Sequence, residues 1–418
     1  MSQLANGPRA GRLRKTTCAV CGHFKLREVL DLGGVRPSCF PAPGEPDPPP
    51  APLCLVLCPV CGLVQLGDRL DPDAMYRQYW YQSGLNASMV TALRDVVRGV
   101  EARVELKPGD LVIDIGCNDG TLLAQYTERV TKVGFDPALN LADRASKHCD
   151  VFFNEYFRDT HYLAKAITAV AMFYDLPYPN LFLWNVKSCL APGGVFCVQM
   201  TDLYGMMSRN AFDNVCHEHL QYYSLAVLDQ LLMRHRLRVF DVERNDVNGS
   251  SLRAWVCHAD DPRPTLPSVA AALVEEDAYF ASPDGSFGAF RSRIARARTA
   301  VVGHVRGLNA EGGTVHVLGA STKGNTLLQW FGLTREDIPL AVDVNPDKAG
   351  RRCVGSGVPV LPEGHRTACP PDAYLVLPWH FRDGLVRRHR DYLDAGGKLV
   401  FPLPEPAVVS RDGEVRLG

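Results

Sequence analysis

The run Val112-Ile113-Asp114-Ile115-Gly116-Cys117-Asn118-Asp119-Gly120 decides the fold of this chain. It reads as an apolar strand that ends in a tight glycine turn, and Asp136 follows at the tip of the next apolar stretch. Such a turn lets a nucleoside-bearing ligand lie against the backbone, and an acid about twenty residues later can accept hydrogen bonds from a ribose diol. The run therefore predicts an open, mostly parallel α/β sheet with a ligand site at this turn.

The turn also indicates the charge of its ligand. A dinucleotide-binding turn would read G-x-G-x-x-G, with a phosphate over the start of the following helix. Here the acidic Asp119 stands in that region, so a pyrophosphate would be repelled and a cationic ligand tolerated. The run D-I-G-C-N-D-G resembles motif I of the class I S-adenosylmethionine-dependent methyltransferases, and this resemblance places Gly116 and Asn118 in the cofactor turn.

Three further residues are candidates for contact with the same cofactor. Asp114, at the tip of the first strand, could hold the methionyl amine. Met172 stands where a third strand would end and could cover the adenine or the sulfonium, although core packing explains the position equally well. Asn154 is a candidate for the adenine edge.

Composition limits the classes of function. The 418 residues carry 45 basic and 46 acidic side chains, so no strong field attracts nucleic acid or a membrane surface. There is no apolar run of the roughly 18 residues that a spanning helix needs. The polar start, Met1–Thr17, lacks the apolar core of a signal peptide. We therefore expect a cytoplasmic protein whose 14 cysteines are mostly reduced thiols.

Four of the cysteines predict a structural zinc site. They form two C-x-x-C pairs, each followed by a glycine, and comprise Cys18, Cys21, Cys58 and Cys61. Thiolates at this spacing can close a tetrahedral site, and a module of about 50 residues needs such a staple. Cys39 and Cys54 are conceivable substitute ligands. No basic patch accompanies the module, which favours a structural role over nucleic-acid binding.

A second α/β unit follows a helical connector. It opens with the strand Val315–Leu318 and the turn Gly319–Gly324. Ser321 and Lys323 stand at a helix N-terminus, where free backbone N–H groups suit a diphosphate. Asp343, at the end of the next strand, could contact a ribose or sugar, and a plain strand–turn–helix connection is the alternative. The predicted divisions are a zinc module at 1–70, a methyltransferase domain at 71–262, a connector at 263–306 and a C-terminal α/β domain at 307–418.

The segment His217-Glu218-His219, followed by Tyr222 and Tyr223, is the densest group of acid–base side chains. In an extended segment the two histidines would share one face and Glu218 would point away, whereas on a helix the imidazoles would diverge. One histidine could act as a general base. A structural polar network or a metal-binding histidine pair are the alternatives.

The motifs together resemble those of the nucleotide-sugar C-methyltransferases, which make branched deoxysugars such as those on antibiotics. In order they are C-x-x-C twice, Y-x-Y-x-S, D-I-G-C-N-D-G, H-E-H-x-x-Y-Y-S, N-G-S-S-x-R and G-A-S-T-K-G-N-T-L-L. This resemblance implies S-adenosylmethionine and zinc as cofactors and a nucleotide sugar as the substrate, held by the C-terminal domain. It leaves the oligomeric state open and is compatible with a monomer.

Individual roles follow from the same resemblance. His219 is the expected base with Glu218 beside it, and Tyr81 is expected to line the sugar pocket. The chain departs from some members at Cys216, where they have tyrosine, and at Asn248, where others have histidine. These two substitutions at substrate-contacting positions bear on regiochemistry more than on reaction type.

The chemistry of carbon methylation fits these residues. A 4-keto sugar has acidic hydrogens on C-3 and C-5, and a base such as His219 could remove one to give an enolate. Tyr81, Tyr222 or Tyr223 could donate to the enolate oxygen. The expected function is C-methylation of a dTDP-linked 4-keto-6-deoxyhexose, with C-3 favoured over C-5. An O- or N-methyltransferase and a non-catalytic scaffold are the alternatives.

Overall fold

The computed structural model describes residues 13–14, 17–127, 129–367 and 370–418. Most of the polar N-terminal stretch on which the absence of a signal peptide was predicted lies outside these residues. Within the described ranges, no helix combines the length and the apolar character that crossing a membrane requires.

The strand Leu111–Ile115 lies inside a seven-stranded central sheet. Ser251–His258 runs antiparallel to both of its neighbours, and the other strands are parallel to one another. Across the sheet the order is Leu237–Asn245, Ser251–His258, Leu190–Met200, Ala164–Val170, Leu111–Ile115, Thr131–Phe135 and Val151–Phe153. Leu111–Ile115 pairs with Thr131–Phe135 on one side and with Ala164–Val170 on the other. The connections that leave the two sides in opposite directions open a crevice at the carboxyl end of Leu111–Ile115.

The C-terminal sheet repeats this plan around Val315–Leu318. Five parallel strands are followed by two antiparallel ones at the edge. In order they are Val360–Pro362, Ala341–Asp343, Val315–Leu318, Ala373–Val376, Lys398–Phe401, Ala407–Ser410 and Gly413–Arg416. The predicted α/β class with two Rossmann-like sheets is confirmed.

The N-terminal sheet is antiparallel and contains one strand from far along the chain. Its order is Gln221–Tyr222, Val64–Leu66, Ala51–Leu57 and Arg27–Val35, and a separate pair joins Leu13–Arg14 to Asp68–Arg69. Gln221–Tyr222 begins two residues after His219. The cysteine-rich module is therefore hydrogen-bonded to the strand that follows the H-E-H segment.

Helices cover the two α/β sheets and connect them. They are Pro72–Tyr76, Ala87–Glu101, Ala142–Ala145, Pro179–Cys189, Leu203–Ser208, Leu225–Arg234, Pro267–Phe280, Pro283–Ala310, Thr322–Phe331, Arg382–Arg388 and Arg390–Asp394. The amphipathic helix Ala87–Glu101 is capped by Asn86 and buries Leu93, Val96 and Val100 on one face. The connector is two helices rather than one stretch, because Pro283 starts a new helix.

Buried side chains join the N-terminal sheet to the C-terminal sheet, and a second cluster joins the cysteine-rich module to the central sheet. One apolar cluster runs from Phe40 and Leu53 of the N-terminal region to Leu375 of the C-terminal sheet. Trp379 packs so closely on Gly249 that a Cβ there would lie 2.5 Å from the ring. Its indole N–H also donates to Asp213 at 3.0 Å. These contacts turn the carboxyl ends of both α/β sheets towards one cavity.

Candidate active site

A cavity of about 1010 Å³ lies between the carboxyl ends of the two α/β sheets. This is the upper end of the size usual for small-molecule sites. It is lined by most of the residues that the sequence singled out: Tyr81, Asp114, Gly116, Asn118, Asp136, Met172, His219, Asn248, Ser321, Lys323 and Asp343. Residues distant in sequence are thus brought to one site.

The glycine turn of the central sheet has the backbone that the motif requires. Gly116 has a φ of +69°, and a Cβ there would lie 3.0 Å from Cγ of Met172. Asn118 is also left-handed, with a φ of +55°. Its N–H and that of Ala138 donate to the carboxylate of Asp136 at 2.8 and 2.9 Å. Hydrogen bonds to the carboxylate of Asp136 therefore fix its position relative to the glycine turn.

Two buried acids make this end of the cavity suitable for a cation. Burial raises the pKa of Asp136 to about 6. It raises the pKa of Asp114 to about 7, although Asp114 accepts a hydrogen bond from the hydroxyl of Thr168 at 2.6 Å. A positively charged ligand would restore the ionised forms. The two carboxylates therefore fit the sulfonium, amine and ribose of S-adenosylmethionine.

Asn118 and Asp119 also hold a five-residue strap, residues 80–84, across the cavity. The side-chain oxygens of Asn118 and Asp119 accept the backbone N–H groups of Ser83 and Gly84 at 2.9 and 2.8 Å. At the other end, Nδ2 of Asn345 donates to the carbonyl of Trp80 at 2.9 Å. The strap thus connects the cofactor turn to the C-terminal sheet.

Tyr81, within the strap, presents an unused polar group. Its hydroxyl is buried and has no hydrogen-bond partner among the described residues. Burial raises the pKa of this phenol, so the hydroxyl stays protonated at neutral pH. A buried donor without a partner is costly unless a ligand accepts from it. The placement fits the predicted contact of Tyr81 with the substrate.

His219 has the geometry of a neutral base. Its Nδ1 lies 2.8 Å from the backbone oxygen of Asn214, which can only accept, so Nδ1 carries the proton and Nε2 the lone pair. The ring packs on Tyr174 with centroids 4.0 Å apart. Burial lowers the pKa of His219 to about 3, with a further lowering by the charge of Lys323. The free protein therefore holds a neutral imidazole at the cavity, protonated on Nδ1 and not on Nε2.

The other members of the H-E-H segment do not line the cavity. The segment is a bend, neither strand nor helix, and the backbone oxygen of Glu218 accepts from the hydroxyl of Tyr76 at 2.6 Å. The carboxyl group of Glu218 is buried, which raises its pKa. The predicted hydroxyl donor Tyr222 instead donates to the backbone oxygen of Asn214 at 3.2 Å. Tyr222 thus shares the Asn214 carbonyl with His219, and neither Glu218 nor Tyr222 lines the cavity, so their catalytic roles remain predictions.

Asn154 does not line the cavity either. Its amide donates to the backbone oxygens of Asp136 and Ala138 at 2.8 and 3.2 Å. It therefore fixes the loop that carries Asp136, and its contact with the adenine edge remains a prediction.

Three of the four substrate-side candidates, Ser321, Lys323 and Asp343, lie at the C-terminal sheet. Ser321 begins the helix Thr322–Phe331 and accepts from the N–H of Gly324 at 2.9 Å. Asp343 is paired with the ammonium of Lys348 at 3.2 Å. Asn248 lines the opposite wall in a left-handed conformation, with a φ of +56°. A helix start with free N–H groups beside a lysine suits an anion.

Four residues of the site were missed by the sequence reasoning. Asp175 and His380 line the cavity, whereas Asp213 and Asn214 support it from behind. Burial and the neighbouring Glu218 raise the pKa of Asp175, and burial with the charge of Lys323 lowers that of His380. Asn214, five residues before His219, could have been noticed from its nearness in sequence. His380 could have been noticed because it follows a parallel strand end.

The four cysteines of the two pairs form one cluster. Their sulfur atoms all lie within 4.8 Å of one another, with Cys18 3.4 Å from Cys61 and Cys21 3.5 Å from Cys58. Gly22 and Gly62 are left-handed after each pair. Four thiolates in this arrangement fit a tetrahedral zinc ion. Cys39 and Cys54 do not belong to the cluster.

Comparison with known proteins gives matches along the chain. The family model described as "Putative zinc binding domain" matches residues 18–76, "Methyltransferase domain" matches 89–241, and "C-methyltransferase C-terminal domain" matches 246–404. The C-methyltransferase NovU of Streptomyces niveus is 32% identical over 408 residues, which cover 94% of this chain and 97% of NovU.

Solved structures overlap with part of the chain. Mycolic acid cyclopropane synthase CmaA1 is 12% identical, with a TM-score of 0.35 and coverage of 45% of this chain and 91% of its own. Magnesium protoporphyrin IX methyltransferase from Synechocystis PCC 6803 is 13% identical, with a TM-score of 0.33 and coverage of 40% and 78%. Similarity at this level identifies no function.

Proposed function

The chain belongs to the C-methyltransferase family that includes NovU, and we propose that it methylates a carbon atom of a dTDP-linked 4-keto-6-deoxyhexose. Its cofactors are S-adenosylmethionine and a structural zinc ion. The methylated carbon is proposed to be C-3 in preference to C-5. The observation that carries the proposal is the neutral His219, whose Nε2 lone pair is available in a cavity shared by a cation-suited turn and an anion-suited helix start.

The two ends of the cavity would receive different parts of the reactants. Asp114 and Asp136 supply the carboxylates for a cationic nucleoside. The strap that contains Tyr81 would cover this nucleoside. Ser321 and the first turn of the helix Thr322–Phe331 provide N–H groups for a diphosphate. The sugar would then lie between these ends, beside His219.

Proton removal is the first step proposed. Nε2 of His219 takes the hydrogen α to the ketone, while Nδ1 stays bonded to the carbonyl of Asn214 at 2.8 Å. That bond also stabilises the imidazolium as it forms. Bound S-adenosylmethionine supplies an electrophilic methyl group, whose bond to sulfur breaks as the bond to carbon forms. Tyr81 provides a phenol donor in the same cavity.

The test uses S-adenosylmethionine with a ¹³C methyl group and dTDP-4-keto-6-deoxyglucose, with NMR to locate the label. A parallel incubation in D₂O without the methyl donor measures exchange of the α-hydrogen. We expect label on a quaternary carbon and donor-independent exchange. His219→Asn should lose both, whereas His217→Asn, a neighbouring imidazole that does not line the cavity, should keep exchange. Label on oxygen or nitrogen would contradict the enolate route.

A further inference from the structure

Lys323 and His219 are anchored on the same residue although they lie on different halves of the molecule. The backbone oxygen of Asn214 holds Nδ1 of His219 at 2.8 Å, and its side-chain oxygen accepts from Nζ of Lys323 at 3.2 Å. The Lys323 side chain is only 15% exposed. An ammonium from the C-terminal sheet is therefore fixed beside the base of the central sheet.

The surroundings of Lys323 leave it able to bind a ligand. Asp213 lies 3.7 Å from Nζ, and its Oδ2 is shared with the indole N–H of Trp379. An ammonium has three N–H donors, and the contacts of Nζ with Asn214 and Asp213 use at most two of them. Both Lys323 and the neighbouring His380 line the cavity. One donor therefore remains for a molecule in the cavity.

The charge of Lys323 acts on the base itself. It lowers the pKa of His219 and also that of His380. A negative charge formed next to the ammonium would offset this effect and raise the proton affinity of His219 as the proton moves. A phosphate ester, which is anionic before and after the reaction, would not provide that coupling.

We infer that Lys323 donates a hydrogen bond to the ketone oxygen of the sugar as this oxygen becomes an enolate, in place of the diphosphate contact expected from the sequence. The inference rests on the proposed function. The C–H bond pair becomes the C=C bond, the C=O π pair moves to oxygen, and the proton goes to Nε2 of His219. Lys323 stays protonated throughout. When carbon bonds to the methyl group, the oxygen pair re-forms the ketone.

The test is exchange of the sugar α-hydrogen in D₂O without methyl donor, measured over dTDP-4-keto-6-deoxyglucose concentration and pH. In Lys323→Met we expect the maximal rate to fall about 100- to 1000-fold, as for loss of an oxyanion donor. The affinity for dTDP, from calorimetry, should change little. The acid limb of the residual rate should move to higher pH, because the pKa of His219 rises without the nearby charge. Lys323→Arg should recover part of the rate.

Two outcomes would overturn the inference. An unchanged maximal exchange rate with much weaker dTDP binding would make Lys323 a diphosphate ligand, and the proposed function would stand. A wild-type protein that neither exchanges nor methylates any 4-ketosugar nucleotide would remove the proposed function, and the role of Lys323 with it. S-adenosylmethionine binding by Lys323→Met serves as the folding control.

Discussion

The two glycine turns of the molecule have the same plan. Gly116 and Gly319 each follow the first strand of a Rossmann-like sheet, with φ values of +69° and +78°. An acid ends the neighbouring strand in both cases, Asp136 in the first and Asp343 in the second, and both acids are buried.

The residues around the two turns differ in charge: the first turn carries acids, and the second carries lysines paired with acids. After Gly116 come Asn118 and the acidic Asp119, and the carboxylate of Asp136 accepts backbone N–H groups. After Gly319 comes a ten-residue helix that carries Lys323 in its first turn, and Asp343 is paired with Lys348. The comparison teaches that topology places a ligand, whereas the residues after the turn decide its charge.

Removal of zinc should have the largest effect on ligand binding, and it should impair the sites at both turns equally. The N-terminal sheet includes the strand Gln221–Tyr222, and the zinc module shares apolar clusters with both α/β sheets. A structural zinc site contributes on the order of 10 kcal/mol to folding. We expect chelation to abolish binding of S-adenosylmethionine and of dTDP together, measured by calorimetry. Cys39→Ser, outside the cluster, is the control, and retention of either ligand after chelation would contradict the prediction.

The two acids should differ in their effect on stability. Asp343→Asn leaves the buried ammonium of Lys348 without its carboxylate, which should cost about 3–5 kcal/mol of unfolding free energy. Asp136→Asn disturbs hydrogen bonds to two backbone N–H groups and should cost about 1–3 kcal/mol. Urea denaturation of both variants measures the difference. Equal losses would show that the pairing of Asp343 is not what separates the two turns.

Substitution of the turn glycines should separate the two ligands. An alanine at Gly116 would bring Cβ to 3.0 Å from Met172, and one at Gly319 to 2.6 Å from Pro378, each in a left-handed backbone. Such strain costs about 1–3 kcal/mol. Calorimetric titration should show Gly116→Ala losing S-adenosylmethionine affinity while keeping dTDP affinity, and Gly319→Ala the reverse. Loss of both ligands by one variant would mean that the turns are not independent.

Of the changes considered, acid pH should have the smallest effect, which is a weaker binding of S-adenosylmethionine at the turn of Gly116. Burial raises the pKa of Asp114 to about 7 and that of Asp136 to about 6, from 3.8. With respect to these groups the ligand-free protein is most stable below pH 3.8 and loses that stability as pH rises through 6 and 7. A cationic ligand needs the ionised acids, so S-adenosylmethionine affinity should fall as pH drops through 7 and 6, by at most about tenfold per unit per proton. A flat titration between pH 5.5 and 8 would contradict this.

Features that depend on local spacing could be predicted from the sequence. The glycine turns, the C-x-x-C pairs and the order of strands and helices gave the fold class, the family and both cofactors, which are confirmed. The divisions at residues 70, 262 and 306 and the role of each site residue remain predictions.

Features that depend on packing could not be predicted. The H-E-H segment is a bend, so neither helical nor strand periodicity tells which of Glu218 and His219 faces the cavity. Asn154 has the residue type of a ligand contact, yet its amide is used by the loop after Asp136. The pairing of Lys323 with Asn214 crosses 109 residues of sequence, and no local pattern records it.

The strap of residues 80–84 also has a fixed length between its two anchored ends. One end is fixed at Trp80 to the C-terminal sheet and the other at Gly84 to the cofactor turn. With the sugar bound at the C-terminal sheet as proposed, the covalent length of the strap would set the reach between methyl donor and sugar. One inserted residue lengthens an extended chain by about 3.5 Å, more than twice a carbon–carbon bond. Regiochemistry would then be a length written into the backbone. The position of the ¹³C label in a variant with one glycine inserted after Trp80 would reveal it.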